Sequence, residues 1–163
     1  MLYACFNHQK QMRILILIGQ KCLSIPIIGN FLSVMFEYII RIIFSSDISC
    51  KAKIPNDIIF VHGHDIVIGA DVKIGKNCKI FNGVTLGNKY TEDVPNDQPI
   101  IGDNCVIATG AKVLGGITVG NNCTIGANAV VITDIPPNSV AVGVPARIQK
   151  NKIVNNNTND KKI

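Results

Sequence analysis

The sequence predicts a mainly β protein built as a parallel β-helix, in which short strands wind around one core. Three observations predict this fold. Aliphatic residues recur every six positions, small or β-branched residues follow them four positions later, and Gly, Asn or Asp residues separate these pairs. The aliphatic series comprises Ile68, Ile74, Ile80, Leu86, Ile101, Ile107, Val113, Val119, Ile125 and Val131. A short period that spans about half of a chain is typical of a repeat architecture.

The length of the period favours strands over helices. Alternate residues of a strand face the same way, so an even period keeps both inward residues of each repeat on one side. A helical face needs a period of 3.6 residues, which six does not match. Each repeat is then one short strand and one turn. Three repeats close a triangular coil, and stacked coils bury a continuous core. Gly, Asn and Asp supply the positive φ angles that the corners need.

We divide the chain into three parts. Residues 1–46 are predicted to form a helical N-terminal cap, with helices near 7–20 and 28–44. Residues 47–148 are predicted to form the β-helix, and residues 149–163 a polar, basic and disordered tail. An open end of a β-helix exposes unpaired strand edges and core, which a helical cap would cover.

Two apolar runs in the cap raise the question of a membrane segment. The run 14–18 is far too short to span a bilayer. The run 25–44 is interrupted by Pro26 and carries Glu37 and Arg41, which lie four residues apart, a favourable spacing for a pair on a helix surface. We expect cap helices, and the high Ile content leaves peripheral contact with a membrane open.

The composition bounds the compartment and the partners. Cys78, Cys105 and Cys123 occupy the small inward position of the repeat, which predicts buried apolar fillers. The six cysteines include no C-x-x-C pair, so we expect no metal or redox site and a reducing, cytoplasmic setting. The net charge of +5 could attract nucleic acid, but no aromatic platform accompanies the basic residues. We therefore expect no nucleic-acid partner.

The six-residue period is broken twice, and a functional site is expected at the breaks. About two extra residues lie within 61–65, and about nine extra residues form a protruding loop around 88–98. Corner loops can be specialised without disturbing the core. The first break contains His62 and His64.

Several motifs, in order and spacing, resemble the serine O-acetyltransferase family of hexapeptide-repeat acyltransferases. They are Asp47-Ile48, His62, Ile66-Val67-Ile68-Gly69, Gly83-Val84-Thr85-Leu86-Gly87, Gly110-Ala111-Lys112-Val113-Leu114-Gly115, Pro136-Pro137-Asn138-Ser139 and Gly143-Val144-Pro145-Ala146-Arg147. The resemblance covers about two thirds of the chain. It implies a left-handed parallel β-helix, acetyl-CoA as the acetyl donor, no metal, and a homotrimer.

The resemblance implies that His62 is the general base and that Asp47, fifteen residues earlier, orients it. Physical chemistry agrees with these roles. A hydroxyl is a poor nucleophile near neutral pH, an imidazole titrates in the range that activates it, and a carboxylate partner fixes the imidazole tautomer. Asp57 and Asp65 remain alternatives for the carboxylate, and His64 for the base.

The same resemblance implies a groove for acetyl-CoA between two β-helices of the trimer. Small residues there would let the backbone approach the coenzyme closely. The implied cofactor-binding residues are Gly87, Asn88, Ala108, Thr109, Gly110, Gly126 and Ala127. Lys112 and the basic tail are candidates for contacts with the coenzyme phosphates, and a solvated charge is the alternative for Lys112.

Three features depart from the family members that acetylate serine. Those members carry an aspartate before the catalytic histidine, where this chain has Val61. They carry Arg-His before a proline in the protruding loop, where this chain has Asp97-Gln98 before Pro99. An acidic residue at that position would repel a substrate carboxylate. They also carry a long helical N-terminal domain, which residues 1–46 mostly lack.

These departures resemble the short, colanic-acid-type family members that accompany exopolysaccharide genes. We therefore expect an O-acetyltransferase with Asp97 and Gln98 at the acceptor and a sugar of an exopolysaccharide or capsule precursor as its substrate, working at the cytoplasmic face of a membrane. Serine O-acetyltransferase, which acetylates L-serine in cysteine biosynthesis, is the alternative, and a non-catalytic β-helix scaffold is the second. A carbonic-anhydrase-like metal site would need three histidines, and two of the three in this chain share one loop.

Overall fold

The structure, a computed structural model, describes residues 8–89 and 97–150. Two helices, α1 (His8–Cys22) and α2 (Gly29–Phe44), precede the strands. The strands are β1 (Asp47–Ile48), β2 (Ile59–Val61), β3 (Val67–Ile68), β4 (Lys73–Ile74), β5 (Lys79–Phe81), β6 (Thr85–Gly87), β7 (Ile100–Ile101), β8 (Val106–Ile107), β9 (Lys112–Leu114), β10 (Thr118–Val119), β11 (Thr124–Ile125), β12 (Val130–Val131), β13 (Ser139–Val142) and β14 (Arg147–Lys150).

The strands form three sheets, one for each face of a triangular coil. The five-stranded sheet has the order β1-β3-β6-β9-β12, the three-stranded sheet β10-β7-β4, and the six-stranded sheet β14-β13-β11-β8-β5-β2. Each strand from β1 to β13 pairs in parallel with its equivalent in a neighbouring coil, as Ile68 does with Leu86. The predicted parallel β-helix is thereby confirmed.

The core follows the six-residue period. All ten aliphatic residues of the series are at most 7% exposed. Cys78, Cys105 and Cys123 are buried and free, as predicted. They are more than apolar fillers, because each thiol donates a hydrogen bond of 3.1 Å to a carbonyl oxygen of the following coil. These bonds give the weak S–H donors of the three thiols a partner within the apolar core.

The corners use left-handed backbone conformations. Among the described residues, five asparagines have φ angles of 55–58°. They are Asn77, Asn104, Asn122, Asn128 and Asn138. Four of them stack where the three-stranded sheet turns into the six-stranded sheet, and their side-chain amides bond to one another along the axis at 3.0–3.3 Å. Asn and Gly tolerate this conformation better than other residues. The need for positive φ at the corners therefore explains why Asn and Gly recur there.

The two helices close the first coil, near the predicted positions. Met12, Ile16, Ile40 and Phe44 point into the coil and join its core. The opposite face of α2 is exposed and apolar; it carries Phe31, Val34, Met35, Tyr38, Ile42 and Ile43. Neither described helix combines the length and the apolar character needed to cross a membrane.

The C-terminal boundary differs from the prediction. We place the start of a disordered tail at residue 149, but β14 continues to Lys150 and pairs antiparallel with β13. The pairing continues because β13 has no further coil beyond it, so β14 covers its open edge. The rest of the predicted tail, 151–163, lies outside the described residues.

Candidate active site

His62 lies at a corner where the six-stranded sheet turns into the five-stranded sheet. Equivalent positions of successive coils stack below it, and this column, residues 62–65, 82–83, 108–110 and 126–128, is called the His62 corner. Its coils are joined by backbone bonds from Gly83 N to the oxygen of His64, from Gly110 N to that of Asn82, and from Asn128 N to that of Thr109, at 2.9–3.2 Å. The column therefore forms one continuous surface along the axis.

The backbone of His62 is in a left-handed conformation. Its φ is 54°, and its carbonyl oxygen accepts a 2.7 Å bond from the amide of His64. Both histidine side chains are exposed. A side chain with a Cβ is disfavoured at positive φ, and such residues concentrate at functional sites. The other corners meet the same requirement mainly with Asn and Gly, so the histidine stands out by its side-chain chemistry.

Asp47 lies next to this corner on the outer face of β1. It pairs in register with Val67, and its amide donates to the oxygen of Ile66 at 2.8 Å. Asp47 and His62 form no hydrogen bond with each other. Instead, Asp47 Oδ1 accepts a 2.6 Å charge-assisted bond from Arg41 Nη2 of α2. This bond with Asp47 raises the pKa of the Arg41 guanidinium above its ordinary value.

The alternative residues fall into two groups. Asp65 shares the His62 corner, with a φ of 56°, and His64 lies between it and His62. Asp57 lies at the corner of the stacked asparagines, where the three-stranded sheet turns into the six-stranded sheet. It is one coil away from Asn77, as the pairing of β2 with β5 requires. It therefore lies at a different corner from His62. Its Oδ1 is buried and has no hydrogen-bond partner.

The implied coenzyme residues are divided between two corners. Ala108, Thr109, Gly110, Gly126 and Ala127 line the His62 corner. The others are Gly87, the last residue of β6, and Asn88, which follows it. The C-terminal end of β6 belongs to the corner where the five-stranded sheet turns into the three-stranded sheet; residues 49–52, 69–71, 87–89, 97–99 and 115–117 form this Gly87 corner. Within one chain the five-stranded sheet separates the two groups.

Gly87 and Gly110 differ in what surrounds them. A Cβ added at Gly87 would meet no atom of residues 8–89 and 97–150 within 4 Å. Gly110 has a φ of +72°, and an added Cβ would overlap the side chain of Asn128. Gly110 is therefore required by the fold itself, whereas the fold leaves Gly87 free to approach a ligand.

Lys112 lies between these two corners, on the outer face of β9. Its Nζ donates to the oxygen of Gly83 at 2.6 Å and to Thr85 Oγ1 at 3.0 Å. The ammonium group is thus half-buried and tethered to the sheet. A contact between Lys112 and a coenzyme phosphate stays a prediction.

Asp97 and Gln98 are held against the Gly87 corner. Gln98 Oε1 accepts a 3.0 Å bond from the amide of Asp71, and a Cβ at Gly69 would overlap the Gln98 side chain. A Cβ at Gly116 would come within 2.5 Å of the Asp97 Cβ. Both residues therefore lie at the opposite end of the five-stranded sheet from His62 of the same chain. Residues 90–96, the middle of the predicted loop, lie outside the described residues.

Arg41 bonds to Asp47, a predicted catalytic residue, and the sequence did not indicate this contact. The spacing of Glu37 and Arg41 indicates a pair along α2. In the structure Glu37 Oε1 instead accepts bonds from Ser49 Oγ at 3.1 Å and from the amide of Cys50 at 2.7 Å. Arg41 is thereby left for Asp47. Arg41 and Asp47 are six positions apart, on either side of the end of α2, so no helical spacing could have indicated this pair.

Metal ligands are not gathered at this site. Within residues 8–89 and 97–150, no three His, Cys, Asp or Glu side chains are grouped so that they could hold a metal ion.

Two protein-family models match the chain. The model described as bacterial transferase hexapeptide, six repeats, matches residues 98–133. The model described as hexapeptide repeat of succinyl-transferase matches residues 65–91 and 116–151. Both fall on the coils that carry the six-residue period.

The chain is similar to curated serine acetyltransferases. That of Buchnera aphidicola is 43% identical over 128 residues, which are 78% of this chain and 49% of the relative. That of Haemophilus influenzae is 39% identical over 109 residues, which are 67% and 40%. The chain thus spans about half the length of the curated relatives it matches.

Solved structures agree with these relatives. A serine acetyltransferase in complex with CoA superposes with a TM-score of 0.77 at 33% identity, covering 85% of this chain and 55% of that one. Soybean serine acetyltransferase complexed with serine gives 0.75 at 32% identity, covering 88% and 58%. The chain therefore belongs to the serine acetyltransferase family of hexapeptide-repeat proteins.

Proposed function

We propose that this chain is an acetyl-CoA-dependent O-acetyltransferase in which His62 is the general base. The observation that carries the proposal is that the imidazole of His62 is exposed at the first coil of the His62 corner. The backbone of His62 is in a left-handed conformation there. A relative that superposes over 85% of the chain is in complex with CoA, which supports acetyl-CoA as the donor.

Acetyl transfer from a thioester to a hydroxyl requires a general base and a groove that holds both substrates. The imidazole of His62 takes the proton of the acceptor hydroxyl as that oxygen attacks the thioester carbonyl. A carbon–oxygen bond forms, the carbon–sulfur bond breaks, and the imidazolium returns the proton to the departing thiolate. Asp47, which bonds to Arg41 and not to His62 in the structure, would orient the imidazole once the substrates are bound.

The coenzyme groove lies between two copies of the chain in this proposal. The coenzyme residues of one chain are divided between the His62 corner and the Gly87 corner. A neighbouring copy that places its Gly87 corner beside the His62 corner would complete one groove. A closed ring of such contacts is a cyclic oligomer, and we propose the homotrimer that the resemblance implies.

The acceptor has two candidates, and the relatives favour L-serine. The curated relatives and the similar structures are serine acetyltransferases, so they support the serine alternative better than our first prediction of a sugar. A sugar acceptor is the second candidate. Val61 and Asp97 favour it, because neither supplies the charge that the serine-acetylating members use at those positions.

A CoA-release assay on the purified full chain tests both parts. We expect CoA release that depends on His62 and on an added hydroxyl acceptor. L-serine, uridine diphosphate sugars and lipid-linked oligosaccharides are the acceptors to compare. Turnover with L-serine alone would refute the sugar candidate, and turnover with a sugar alone would refute serine. No release with any hydroxyl compound, although acetyl-CoA binds, would favour the scaffold alternative.

A further inference from the structure

An open cavity of about 470 Å³ lies at the Gly87 corner and extends over the three-stranded sheet. Its polar lining consists of Lys51, Lys53, Asp71, Lys73, Asp97 and Gln98, and we name it the lysine pocket. Its volume falls within the range of about 300–1,000 Å³ that is usual for small-molecule sites. None of the residues that the resemblance assigns to catalysis or to the coenzyme lines it.

The positive charges of this pocket have no partner among the described residues. Its three lysines are exposed, and none forms an ion pair or a side-chain hydrogen bond with another residue of the described part of the chain. Lys112, in contrast, bonds to two oxygens of the five-stranded sheet. The lysine pocket therefore presents cationic groups that can bind a ligand without first breaking a contact to another described residue.

Two of the lysines lie directly opposite each other. Lys53 and Lys73 pair in parallel register on successive coils, with bonds of 2.8 and 2.9 Å on either side of Lys53. Paired strands lie about 4.8 Å apart, and like charges in facing positions destabilise a sheet. An oxyanion between the two ammonium groups would convert this repulsion into two charge-assisted bonds. A purely structural role would not favour this pairing.

The other polar residues of the lining, Asp71, Asp97 and Gln98, are held in place by local contacts. Gln98 uses Oε1 to accept from the amide of Asp71, which leaves its Nε2 to donate. Gly69 and Gly116 lack the side chains that would push Gln98 and Asp97 away from the corner. The carboxylates of Asp71 and Asp97 can accept bonds from hydroxyl or ammonium groups. The pocket thus combines anion-binding donors with acceptors suited to a polyhydroxyl or amino compound.

We propose that the lysine pocket binds the oxyanion of the acceptor, a carboxylate or a phosphate, while Asp71 and Asp97 accept bonds from its hydroxyl or ammonium groups. This inference rests on the proposed function, because it assigns the pocket to the acetyl acceptor. It resolves the apparent repulsion at Asp97: the anion docks on the lysines, and Asp97 serves another part of the molecule. The carboxylate of L-serine, a sugar acid and a sugar phosphate share this chemistry.

Titration calorimetry on the full-length chain without acetyl-CoA tests the pocket directly. The probes are L-serine, glucuronate and glucose 1-phosphate, with glucose as the neutral control. We expect saturable binding of at least one anionic probe and none of glucose. Binding of glucose as tight as that of the anionic probes, or no saturable binding of any probe, would overturn the proposal. Which anionic probe binds distinguishes an amino acid, a carboxylate sugar and a phosphorylated sugar.

A matched pair of variants locates the binding. Lys73→Gln removes one of the facing charges, and Lys79→Gln changes the equivalent exposed first residue of β5 on the neighbouring sheet. We expect Lys73→Gln to weaken the anionic probe about tenfold, as loss of a charge-assisted hydrogen bond implies, and Lys79→Gln to bind as the unchanged chain does. Equal binding by both variants would refute the assignment to this pocket.

Thermal unfolding shows whether weaker binding by Lys73→Gln comes from the lost charge or from a folding defect. Without a ligand, Lys73→Gln should unfold at the same or a higher temperature, because it relieves the repulsion with Lys53. At the same concentration of glucose 1-phosphate or glucuronate, chains that retain Lys73 should gain more stability than Lys73→Gln. His62→Ala should bind the probe normally. If the unchanged chain binds the anionic probe but releases no CoA with any acceptor, the lysine pocket is upheld and the acetyl-transfer proposal fails.

Discussion

Arg41 Nη2 lies 2.6 Å from Asp47 Oδ1, so the helical cap is bonded to the carboxylate that the resemblance assigns to catalysis. Replacing Arg41 with Met should therefore lower kcat about tenfold, because the carboxylate loses the partner that fixes its orientation. Steady-state kinetics measure this effect. The melting temperature should change little, since an exposed ion pair adds little stability.

The control for this variant is Lys21→Met, which removes an exposed cation from the last turn of α1. It should leave kcat unchanged. An Arg41→Met enzyme with the kcat of the unchanged chain would mean that Asp47 needs no support from α2.

His62→Ala should reduce kcat by about 10²–10⁴, the usual contribution of a general base. His64→Ala is the matched control, because it removes an equally exposed imidazole two residues away. CoA release with saturating substrates measures both variants. Loss of activity in His64→Ala, with His62→Ala intact, would transfer the role of base to His64.

Gly87→Val should fold normally and raise the KM for acetyl-CoA at least about tenfold, equivalent to about 1.4 kcal/mol of binding. The described part of the chain leaves room for the new side chain, because an added Cβ meets none of its atoms within 4 Å. The valine would instead occupy the space proposed for the coenzyme. The melting temperature of Gly87→Val should therefore stay unchanged while its KM for acetyl-CoA rises. An unchanged KM for acetyl-CoA would exclude Gly87 from the groove.

Two impaired variants should complement each other if the groove is shared. Each groove in the proposed trimer uses the His62 corner of one chain and the Gly87 corner of another. Co-expressed His62→Ala and Gly87→Val chains should then give about a quarter of the grooves both intact corners, by random mixing in a cyclic trimer. Activity at low acetyl-CoA measures this recovery. A mixture no more active than its components, or sedimentation as a monomer of 17.6 kDa, would contradict the shared groove.

Cys50 should stabilise the fold in a pH-dependent way. Burial raises the pKa of its thiol from 9.0 to about 12, so the folded chain holds this proton more tightly than the unfolded chain does. The contribution is complete below pH 9 and is lost as the pH rises towards 12. The stability difference between the unchanged chain and Cys50→Ala, measured by urea unfolding at pH 8 and pH 10.5, should therefore shrink at the higher pH. A constant difference would show that the thiol titrates normally.

The same burial predicts slow alkylation. At pH 8 iodoacetamide should modify the half-buried Cys22 before Cys50, Cys78, Cys105 or Cys123. Peptide mass spectrometry gives the order of modification.

Much of the architecture was predictable because it depends on short-range geometry. The side chains of a strand alternate, so a six-residue period alone identifies Ile68, Cys105 and their equivalents as buried. The corners also followed from local rules, since Asn and Gly tolerate positive φ. The His62 corner was marked by a change in spacing, which is visible without coordinates.

The arrangement of the site depends on how the coils stack. Lys53 meets Lys73 twenty residues later because the first coil contains two extra residues. Arg41 reaches Asp47 because the bonds of Glu37 fix the position of α2 over the first coil. These contacts depend on total coil length and helix placement, which no single repeat encodes.

The sequence by itself determined the β-helix, its buried positions and the histidine at its interrupted corner, because each follows from strand alternation and turn chemistry within a few residues. Only the tertiary structure decided that Asp47 bonds to Arg41, that His62 and Asp97 lie at opposite ends of one sheet, and that three lysines share a cavity. The physical reason is that these relations join residues from different coils, and the register between coils is settled only when the whole core packs.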